Sequence, residues 1–531
     1  MAVASGRLRA PAFAAPTSRF RGRGAQSLGI LAILILGYIL FKNEYSWPAS
    51  LTWDELPRKL DDAQTWLLDQ RTEGSNPFFA VLDGFRAFCD WLVTALLDVF
   101  EWLTWVGMMA ASTLIVLRFG GLRAGLITLF AFVSFALLGL WEESIQTLAL
   151  MTAAVTISIL IGVPIGIVAG RKERFYRTIT PGLDAMQIVP AFAYLMPVVI
   201  IFSVGPAAAV ICTLIYAIPP AVRITALGIR GVTSESVEAS QAMGATPTQT
   251  LTKVQLPLAR RQLLLALNQT IMFALSLVVI AGLIGGRGLG DVVTSGLYSN
   301  PALALLAGIA IVIMAIALDR ATAAIADRTD PTRRQLTDEG RARARRITLA
   351  TFGLIAVIVI AARALGADAI YPDQFETSTT VYDANIQSTI LGWLNDALNY
   401  VQDPSSFIFG ITDPVGNFIL ERLLQPVQNL LMDTPWFIVI GCATALAYVL
   451  SGLRPAITAF LMLVLIGFIG VWEPAMDTAS QVLVATAIAV LIGIAIGIWA
   501  AESPRVEKFL RPILDTLQTL PQLVYIIPFI Y

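Results

Sequence analysis

Residues 141–197 have the sequence "WEESIQTLALMTAAVTISILIGVPIGIVAGRKERFYRTITPGLDAMQIVPAFAYLMP", and residues 472–528 have the sequence "WEPAMDTASQVLVATAIAVLIGIAIGIWAAESPRVEKFLRPILDTLQTLPQLVYIIP". A constant offset of 331 residues aligns the two stretches without a gap. The same offset aligns the tripeptide GLR at 121–123 with GLR at 452–454. The chain is therefore a tandem duplication, and its fold is one unit used twice.

The aligned stretches share polar and helix-breaking residues inside apolar runs, in the pattern Asp-x-x-Gln-x-x-Pro. A carboxylate deep in a membrane is costly, so one interpretation places this pattern on a translocation path. The alternative is a first-turn acid stabilised by the helix dipole near the cytoplasmic interface. The prolines can kink gating helices or only packed ones. The candidate path or gate residues are Asp184, Gln187, Pro190, Tyr194 and Pro197, with Asp515, Gln518, Pro521, Tyr525 and Pro528 in the second copy.

The composition requires a lipid environment. Of 531 residues, 56% are hydrophobic and 14% charged, and the mean hydropathy is +0.74. The 36 basic and 37 acidic residues nearly cancel, which gives no indication of a nucleic-acid partner. Histidine is absent and the three cysteines are far apart, so we expect neither a metal site nor a disulfide framework.

About eight apolar runs in the first copy are long enough, or nearly so, to cross a hydrocarbon core. They lie at 28–42, 103–118, 124–140, 145–169, 183–203, 206–220, 263–284 and 302–319. If the N-terminus is cytoplasmic, every cluster of basic residues falls on the cytoplasmic side. Because eight is even, both copies enter from the same side, which predicts a parallel repeat.

Two outer segments are more polar. Residues 43–102 contain a stretch with helical spacing of apolar residues, which indicates either an amphipathic helix in the outer interface or a small periplasmic subdomain. Glu142 and Glu473 each follow a tryptophan, a pattern typical of an interfacial tryptophan belt with a solvated acid. The glycine-rich stretch 285–291 lacks the dinucleotide-binding spacing and predicts a tight outer turn.

The stretch "EASQAMGATPTQTLTKVQLP" at 238–257 is polar, flanked by arginines, and therefore predicted to be cytoplasmic. Residues 233–243 can form a short helix capped by Thr233 or Ser234 and ended by Gly244. A second helix can begin with Thr246 as N-cap and end at Pro257. Two short capped helices suit a rigid element that a soluble partner can push.

This stretch resembles the EAA motif of permease subunits of bacterial ABC importers, in which a coupling helix docks on a separate ATPase. The resemblance covers Glu-Ala-Ser, three residues, Gly, nine residues and Val-x-Leu-Pro, with Ser where Ala is common. The surrounding residues, at about 140–320 and again at 436–531, are similar to the glycine betaine/proline betaine permeases. The positions that correspond to the motif are Glu238, Ala239, Ser240, Gly244, Val254, Leu256 and Pro257.

The resemblance implies an all-α, polytopic type I ABC importer transmembrane domain with two tandem parallel repeats of about eight spans, the second incomplete. It also implies a cytoplasmic ATPase homodimer, a periplasmic substrate-binding protein and a small cationic or zwitterionic solute. The chain has no GxxxxGK[ST] loop, so it is expected to bind no cofactor and to have no catalytic residue. ATP and Mg²⁺ would be bound by the partner ATPase, and the chain would lie in the bacterial cytoplasmic membrane.

The predicted domains follow the repeat. They are a cytoplasmic lead at 1–27, an anchor helix with an outer segment at 28–102, the first permease domain at 103–326, a charged linker at 327–347, a second anchor and outer segment at 348–435, and a second permease domain at 436–531. Tyr531 pairs with Ile200 of the first copy, so we expect the sequence to be a fragment with a second coupling loop beyond it.

The predicted function is ATP-driven import of a quaternary amine osmolyte such as glycine betaine, proline betaine, choline, carnitine or trimethylamine N-oxide. Phe192, Tyr194 and Tyr216 are aromatic residues that could form a cage for such a cation, although aromatics in spans are usually packing residues. The alternatives are an ABC permease for another small solute such as an amino acid, and an ion-coupled secondary transporter or channel. An exporter subunit is disfavoured because the motif belongs to importers.

Overall fold

The computed structural model describes residues 18–42, 46–72, 77–328, 338–367 and 386–519, and all regular elements in those ranges are helical. The helices of the first copy are α1 Ser18–Leu40, α2 Leu56–Thr72, α3 Pro77–Trp102, α4 Thr104–Gly120, α5 Leu122–Leu137, α6 Trp141–Arg171, α7 Glu173–Ile188, α8 Ala191–Phe202, α9 Pro206–Arg230, α10 Ser234–Ala242, α11 Pro247–Thr250, α12 Leu256–Leu258, α13 Arg260–Ser276, α14 Val278–Gly282, α15 Leu289–Ser299 and α16 Pro301–Arg328. Those of the second copy are α17 Asp338–Ala364, α18 Ile386–Gln402, α19 Phe409–Asn417, α20 Gln425–Met432, α21 Trp436–Ser451, α22 Leu453–Phe468, α23 Trp472–Glu502 and α24 Pro504–Thr519.

The duplication is visible in the backbone. The bounds of α5 and α22, of α6 and α23, and of α7 and α24 differ by the same 331 residues at both ends. The turn that precedes the first of these pairs has a left-handed glycine in each copy, Gly121 with φ 92° and Gly452 with φ 91°. A side chain would be strained at such a φ, so glycine is required at both corners.

The chain divides into two compact units that do not follow the order of the repeats. One unit combines the described residues up to Thr65 with Phe407–Lys508. The other runs from Trp66 to Ser406 and includes the last part of α24. Helix α1, which begins the first repeat, therefore belongs to the unit that contains α21, the counterpart of α4 in the second repeat. Helix α17, which begins the second repeat, belongs to the unit that contains α4.

Close contacts hold α1 and α17 against the helices of these units. In the first unit, a Cβ on Gly37 of α1 would lie 2.8 Å from Ile438 Cδ1 of α21. In the second unit, a Cβ on Gly107 of α4 would lie 2.8 Å from Val359 Cγ2 of α17. Each contact places a glycine backbone against a branched side chain, which allows the two helices to approach closely.

In the described residues, six helices are long and apolar enough to cross a membrane, and up to nine segments qualify if each of three bent helix pairs is one span. The predicted crossing at 183–203 is wrong as a single straight helix, because α7 and α8 meet at a bend of 99°. Val189 there is extended, with φ −66° and ψ 127°, and Pro190 follows it. Proline lacks an N–H and forces the preceding residue out of the helical region, which explains the break.

The centre of the second unit is the packing of α6 against α9. Gly162, Gly166 and Gly170 lie four residues apart on α6, so they form one stripe along the helix. A Cβ at each would lie 2.6–2.8 Å from the side chain of Ala221, Thr225 or Ile229, respectively, on α9. The stripe allows the two backbones to touch, and it fixes the position of α9, which leads directly into the 238–257 stretch.

The tryptophans that begin α6 and α23 are buried and do not form an exposed belt. Trp141 is 5% exposed and Trp472 is 6% exposed, while Glu142 and Glu473 beside them are exposed. The expected tryptophan belt is therefore wrong, because each ring packs into the protein. The expected solvated acids are confirmed, and both lie in a first helical turn where the helix dipole favours negative charge.

Candidate functional site

The stretch at 238–257 begins within the exposed helix α10, Ser234–Ala242. Thr233 occupies the N-cap position, but its hydroxyl bonds to Ser236 Oγ at 2.9 Å and does not cap the backbone. At the other end, Gly244 has φ 80°, its N–H donates to Gln241 O, and Ala245 N–H donates to Ser240 O. This pair of bonds is a Schellman motif, and it confirms the predicted glycine stop.

The second half of the stretch begins as predicted. Thr246 Oγ1 accepts from Gln249 N at 3.3 Å, and Thr246 N donates to Gln249 Oε1 at 2.9 Å, which completes a capping box. The helix then continues through a π-helical turn over Leu251–Gln255 into α12, which ends at Leu258, one residue after the predicted end at Pro257.

The two halves of the stretch are bonded to each other. Ser240 Oγ and Thr250 Oγ1 share a hydrogen bond of 3.1 Å, and Thr250 is 2% exposed. In contrast, α10 has no buried residue, and Met243 at its end is 89% exposed. We call residues 233–259 the projecting element. It is internally bonded on one side and open on the other, as a docking surface must be.

The motif positions divide between these two sides. Glu238, Ala239, Gly244 and Pro257 are exposed. Ser240, Val254 and Leu256 are partly buried. The structure therefore places the first group where a partner could reach it and the second group where the element is held together.

Helix α7 is tied to α9 by two ion pairs. Arg223 Nη2 lies 2.5 Å from Asp184 Oδ1, and Arg230 Nη1 lies 2.9 Å from Glu173 Oε2. Arg230 also donates to Ala169 O and lies 4.2 Å from the ring centroid of Tyr176. Both arginines belong to α9, so the two ion pairs join α9 to the first turn and to the C-terminal half of α7.

The predicted position of Asp184 at the start of a span is wrong. It lies in the C-terminal half of α7, away from the positive end of the helix dipole. Its side chain is 45% exposed, and the Arg223 guanidinium supplies the compensating charge. The dipole interpretation therefore does not explain this acid, whereas a polar link between two helices does.

The remaining path candidates of the first copy surround the bend between α7 and α8. Pro190 is at the break, Gln187 lies just before it and is partly buried, and Pro197 lies within α8. In the second copy, Asp515 and Gln518 lie on α24. Pro521, Tyr525 and Pro528 are outside the described residues. A role of these residues in a path or gate stays a prediction.

The three aromatic residues considered for a cation cage do not form one. Tyr194 and Tyr216 pack edge to face with ring centroids 6.1 Å apart. Their hydroxyls donate to Ala185 O and Val189 O, and these carbonyls belong to the broken end of α7. Phe192 is 50% exposed and lies outside this pair. The tyrosines thus satisfy backbone groups at the bend.

Sequence reasoning missed three residues of this region. Arg223 and Arg230 lie seven residues apart, which places them on one face of α9 and could have marked them as contact residues. Met243 is an apolar residue directly before a helix-ending glycine in a polar stretch, and that position could have marked it as a contact residue.

This region joins the projecting element to the long apolar helices. The projecting element continues from α9 at one end and into α13 at the other, and α9 carries the two ion pairs to α7.

Comparisons with known proteins give the same assignment. The family model described as "Binding-protein-dependent transport system inner membrane component" matches residues 162–335, which include the projecting element. The chain is 43% identical over 272 residues to the glycine betaine transport system permease protein OpuAB of Bacillus subtilis, covering 51% of this chain and 95% of that protein. It is 39% identical over 278 residues to the glycine betaine/proline betaine transport system permease protein ProW of Escherichia coli, covering 51% and 77%.

A third relative extends across both copies. The trimethylamine N-oxide transport system permease protein TmoV of Ruegeria pomeroyi is 30% identical over 457 residues, which cover 84% of this chain and 67% of that protein. The duplication, the helical architecture and these matches lead to one conclusion: the chain belongs to the binding-protein-dependent inner membrane components, the permease subunits of ABC transporters.

Proposed function

We propose that the chain is the transmembrane permease of an ATP-driven importer for a small quaternary amine osmolyte of the glycine betaine, proline betaine, choline or trimethylamine N-oxide type. The names of its relatives support this class of solute, since two refer to betaines and a third to trimethylamine N-oxide. These solutes share a compact cationic or dipolar head without an apolar tail. An amino acid or another small solute is the alternative.

The observation that carries the proposal is the exposed, internally braced projecting element at the end of α9. Its open side presents Glu238, Ala239 and the 89% exposed Met243, and an exposed apolar side chain beside an acid suits a protein groove. We propose that one subunit of a cytoplasmic ATPase homodimer binds this side and holds the ATP and Mg²⁺. The element, the N-terminus and the charged linker would then all be cytoplasmic.

The mechanism follows from the connections of the element. ATP-driven closure of the ATPase would displace the element, α9 would move with it, and the two ion pairs would carry the movement to α7 and its bend. A periplasmic binding protein would deliver the solute at the opposite surface. The chain itself would supply a path and a lever, with no catalytic residue.

The test compares two glycines in cells that depend on this transporter for uptake of radiolabelled glycine betaine. Gly244 has φ 80° and Gly366 has φ 76°, and a Cβ on either would meet no atom within 4 Å. We expect Gly244→Arg to abolish uptake and substrate-stimulated ATP hydrolysis while membrane insertion is retained. Gly366→Arg introduces the same backbone strain outside the element, so uptake should persist.

Three outcomes would contradict the proposal. Equal uptake by the two variants would remove the docking role of the element. If the purified chain takes up the solute in proteoliposomes without any ATPase subunit, the protein is a secondary transporter and not part of an ABC importer. If labelled amino acids are taken up and unlabelled glycine betaine does not reduce this uptake, the transported solute is an amino acid and not a quaternary amine.

A further inference from the structure

A cavity of about 360 Å³ lies away from the projecting element, where α3, α4, α6, α9 and the 285–288 turn meet. Its walls contain two aromatic rings, Phe100 and Trp141, two acids, Glu101 and Glu142, and the guanidinium of Arg287. The volume falls within the roughly 300–1,000 Å³ that small-molecule sites occupy. With the N-terminus on the cytoplasmic side, as the basic residues predict, this cavity would lie at the outer surface.

The walls are fixed by bonds between elements. Asp90 Oδ1 accepts from Ala207 N at 2.9 Å and holds α3 on the start of α9. Thr147 Oγ1 accepts from Leu289 N at 2.8 Å and holds the turn that carries Arg287 on α6. Gly288 in this turn has φ 124°, and a Cβ there would lie 2.4 Å from Thr147 Oγ1. The cavity is thus a built feature of the fold.

The bend between α3 and α4 orients the part of the cavity wall that contains Phe100 and Glu101. Thr104 at this bend is buried and has φ 64°, an unusual conformation for a β-branched residue. The bend is 99°, and it carries Phe100 and Glu101 across the start of α6. Backbone strain of this kind persists where the surrounding structure over-determines it and often accompanies function.

The charges in the cavity are available to a ligand. Glu142 accepts from Gln146 Nε2 at 2.9 Å, which orients the carboxylate. Among the ion pairs found in the described part of the chain, none involves Glu101, Glu142 or Arg287. Both signs of charge therefore line one cavity without neutralising each other directly.

The second copy lacks part of this wall. The 331-residue offset places Leu431 at the position of Phe100 and Met432 at the position of Glu101. Trp472, which corresponds to Trp141, is stacked against Trp47 with ring centroids 5.6 Å apart. The Phe100–Glu101 part of the wall is therefore specific to the first copy, whereas Trp141 and Glu142 have the counterparts Trp472 and Glu473.

From this combination we infer that the cavity is a binding site for a small zwitterion with a quaternary ammonium head and a carboxylate. A quaternary ammonium has no N–H to donate, so it binds to aromatic faces and carboxylates. Phe100, Trp141, Glu101 and Glu142 supply these groups, and Arg287 supplies the partner for the carboxylate. This inference rests on the proposed function, because it assigns the imported solute to an outer site on the permease itself.

The test is equilibrium binding of radiolabelled glycine betaine to the full-length protein in nanodiscs of phosphatidylglycerol, without ATPase or binding protein. The double variant Phe100→Leu/Glu101→Met introduces the side chains that the second copy tolerates at the same positions. We expect it to weaken binding by about tenfold or more, which corresponds to about 1.4 kcal/mol. Arg287→Gln should also weaken glycine betaine binding, but it should affect choline, which has no carboxylate, much less.

Glu473→Gln is the matched control, because Glu473 is the counterpart of Glu142 in the copy that lacks part of the wall, and binding should be unchanged. Binding that is equal in all variants would overturn the inference. So would a phosphatidylcholine or phosphatidylethanolamine molecule that stays bound to the wild type in mass spectra and is not displaced by glycine betaine, since the site would then hold a lipid headgroup. If the wild type imports glycine betaine but the variants change neither binding nor the KM of uptake, this inference fails and the proposed function stands.

Discussion

The packing of α6 on α9 permits a quantitative test with Gly166→Ala. The added Cβ would lie 2.6 Å from Thr225 Cβ, 2.9 Å from Thr225 Cγ2 and 2.7 Å from Val222 O. Carbon atoms in contact are normally about 3.5–4.0 Å apart, so the helices would have to separate by about 1 Å. A rotamer change cannot relieve the contact with Val222 O, because that atom belongs to the backbone.

The expected cost follows from two opposing effects. Overpacking a close interface costs about 1–3 kcal/mol. Replacing glycine by alanine within a helix favours the helix by up to about 1 kcal/mol. Together these effects give a fall in the free energy of unfolding of about 0–3 kcal/mol, and about 1–2 kcal/mol, the middle of that range, is expected for Gly166→Ala.

Gly353→Ala is the matched control, because Gly353 also lies in an apolar helix, α17, and a Cβ there meets no atom within 4 Å. This variant should be neutral or slightly stabilising. Unfolding of the detergent-solubilised protein by sodium dodecyl sulfate, followed by circular dichroism, measures both. If Gly166→Ala unfolds at the same detergent fraction as Gly353→Ala or at a higher one, the close α6–α9 contact is not needed for stability.

Two further predictions concern polar contacts between helices. Asp184→Asn should weaken the α7–α9 link by up to about 1 kcal/mol, because the ion pair with Arg223 is partly exposed, and it should slow uptake of labelled glycine betaine. Arg177→Gln removes a more exposed pair within α7 and should leave uptake unchanged, so equal uptake by the two variants would argue against the link. Asn268→Leu removes the amide that donates to Asp319 Oδ1 and Thr322 Oγ1, and the free energy of unfolding should fall by about 1–2 kcal/mol in the same detergent titration. Ser299→Ala, which loses only a bond within its own helix, should unfold like the wild type, and the interhelical bonds would be unimportant if Asn268→Leu did so too.

Local features of the candidate site were predictable from the sequence because their causes lie within a few residues. Gly244 is left-handed as expected, and Thr246 and Gln249 form the expected capping box. The helical turns end at Leu258, one residue after the expected Pro257, although the π-helical turn over Leu251–Gln255 was not foreseen.

Contacts between distant residues were not predictable in this way. Asp184 and Arg223 are 39 residues apart, and no pattern in one chain states that they pair. The burial of Trp141 and the cavity beside it also depend on how α3 crosses the start of α6. One sequence contains the periodicity of each helix, but it does not state which faces meet.

The sequence alone determined the duplication, the membrane environment and the short capped helices of the projecting element, because repetition, apolar length and helix caps are properties of neighbouring residues. Only the tertiary structure decided that α1 packs on α21 and α17 on α4, that Arg223 offsets the charge of Asp184, and that Phe100, Glu101 and Arg287 line one cavity. The physical reason is that helix packing depends on close fits such as those at Gly37 and Gly107, and many helices of a membrane protein present similar apolar surfaces.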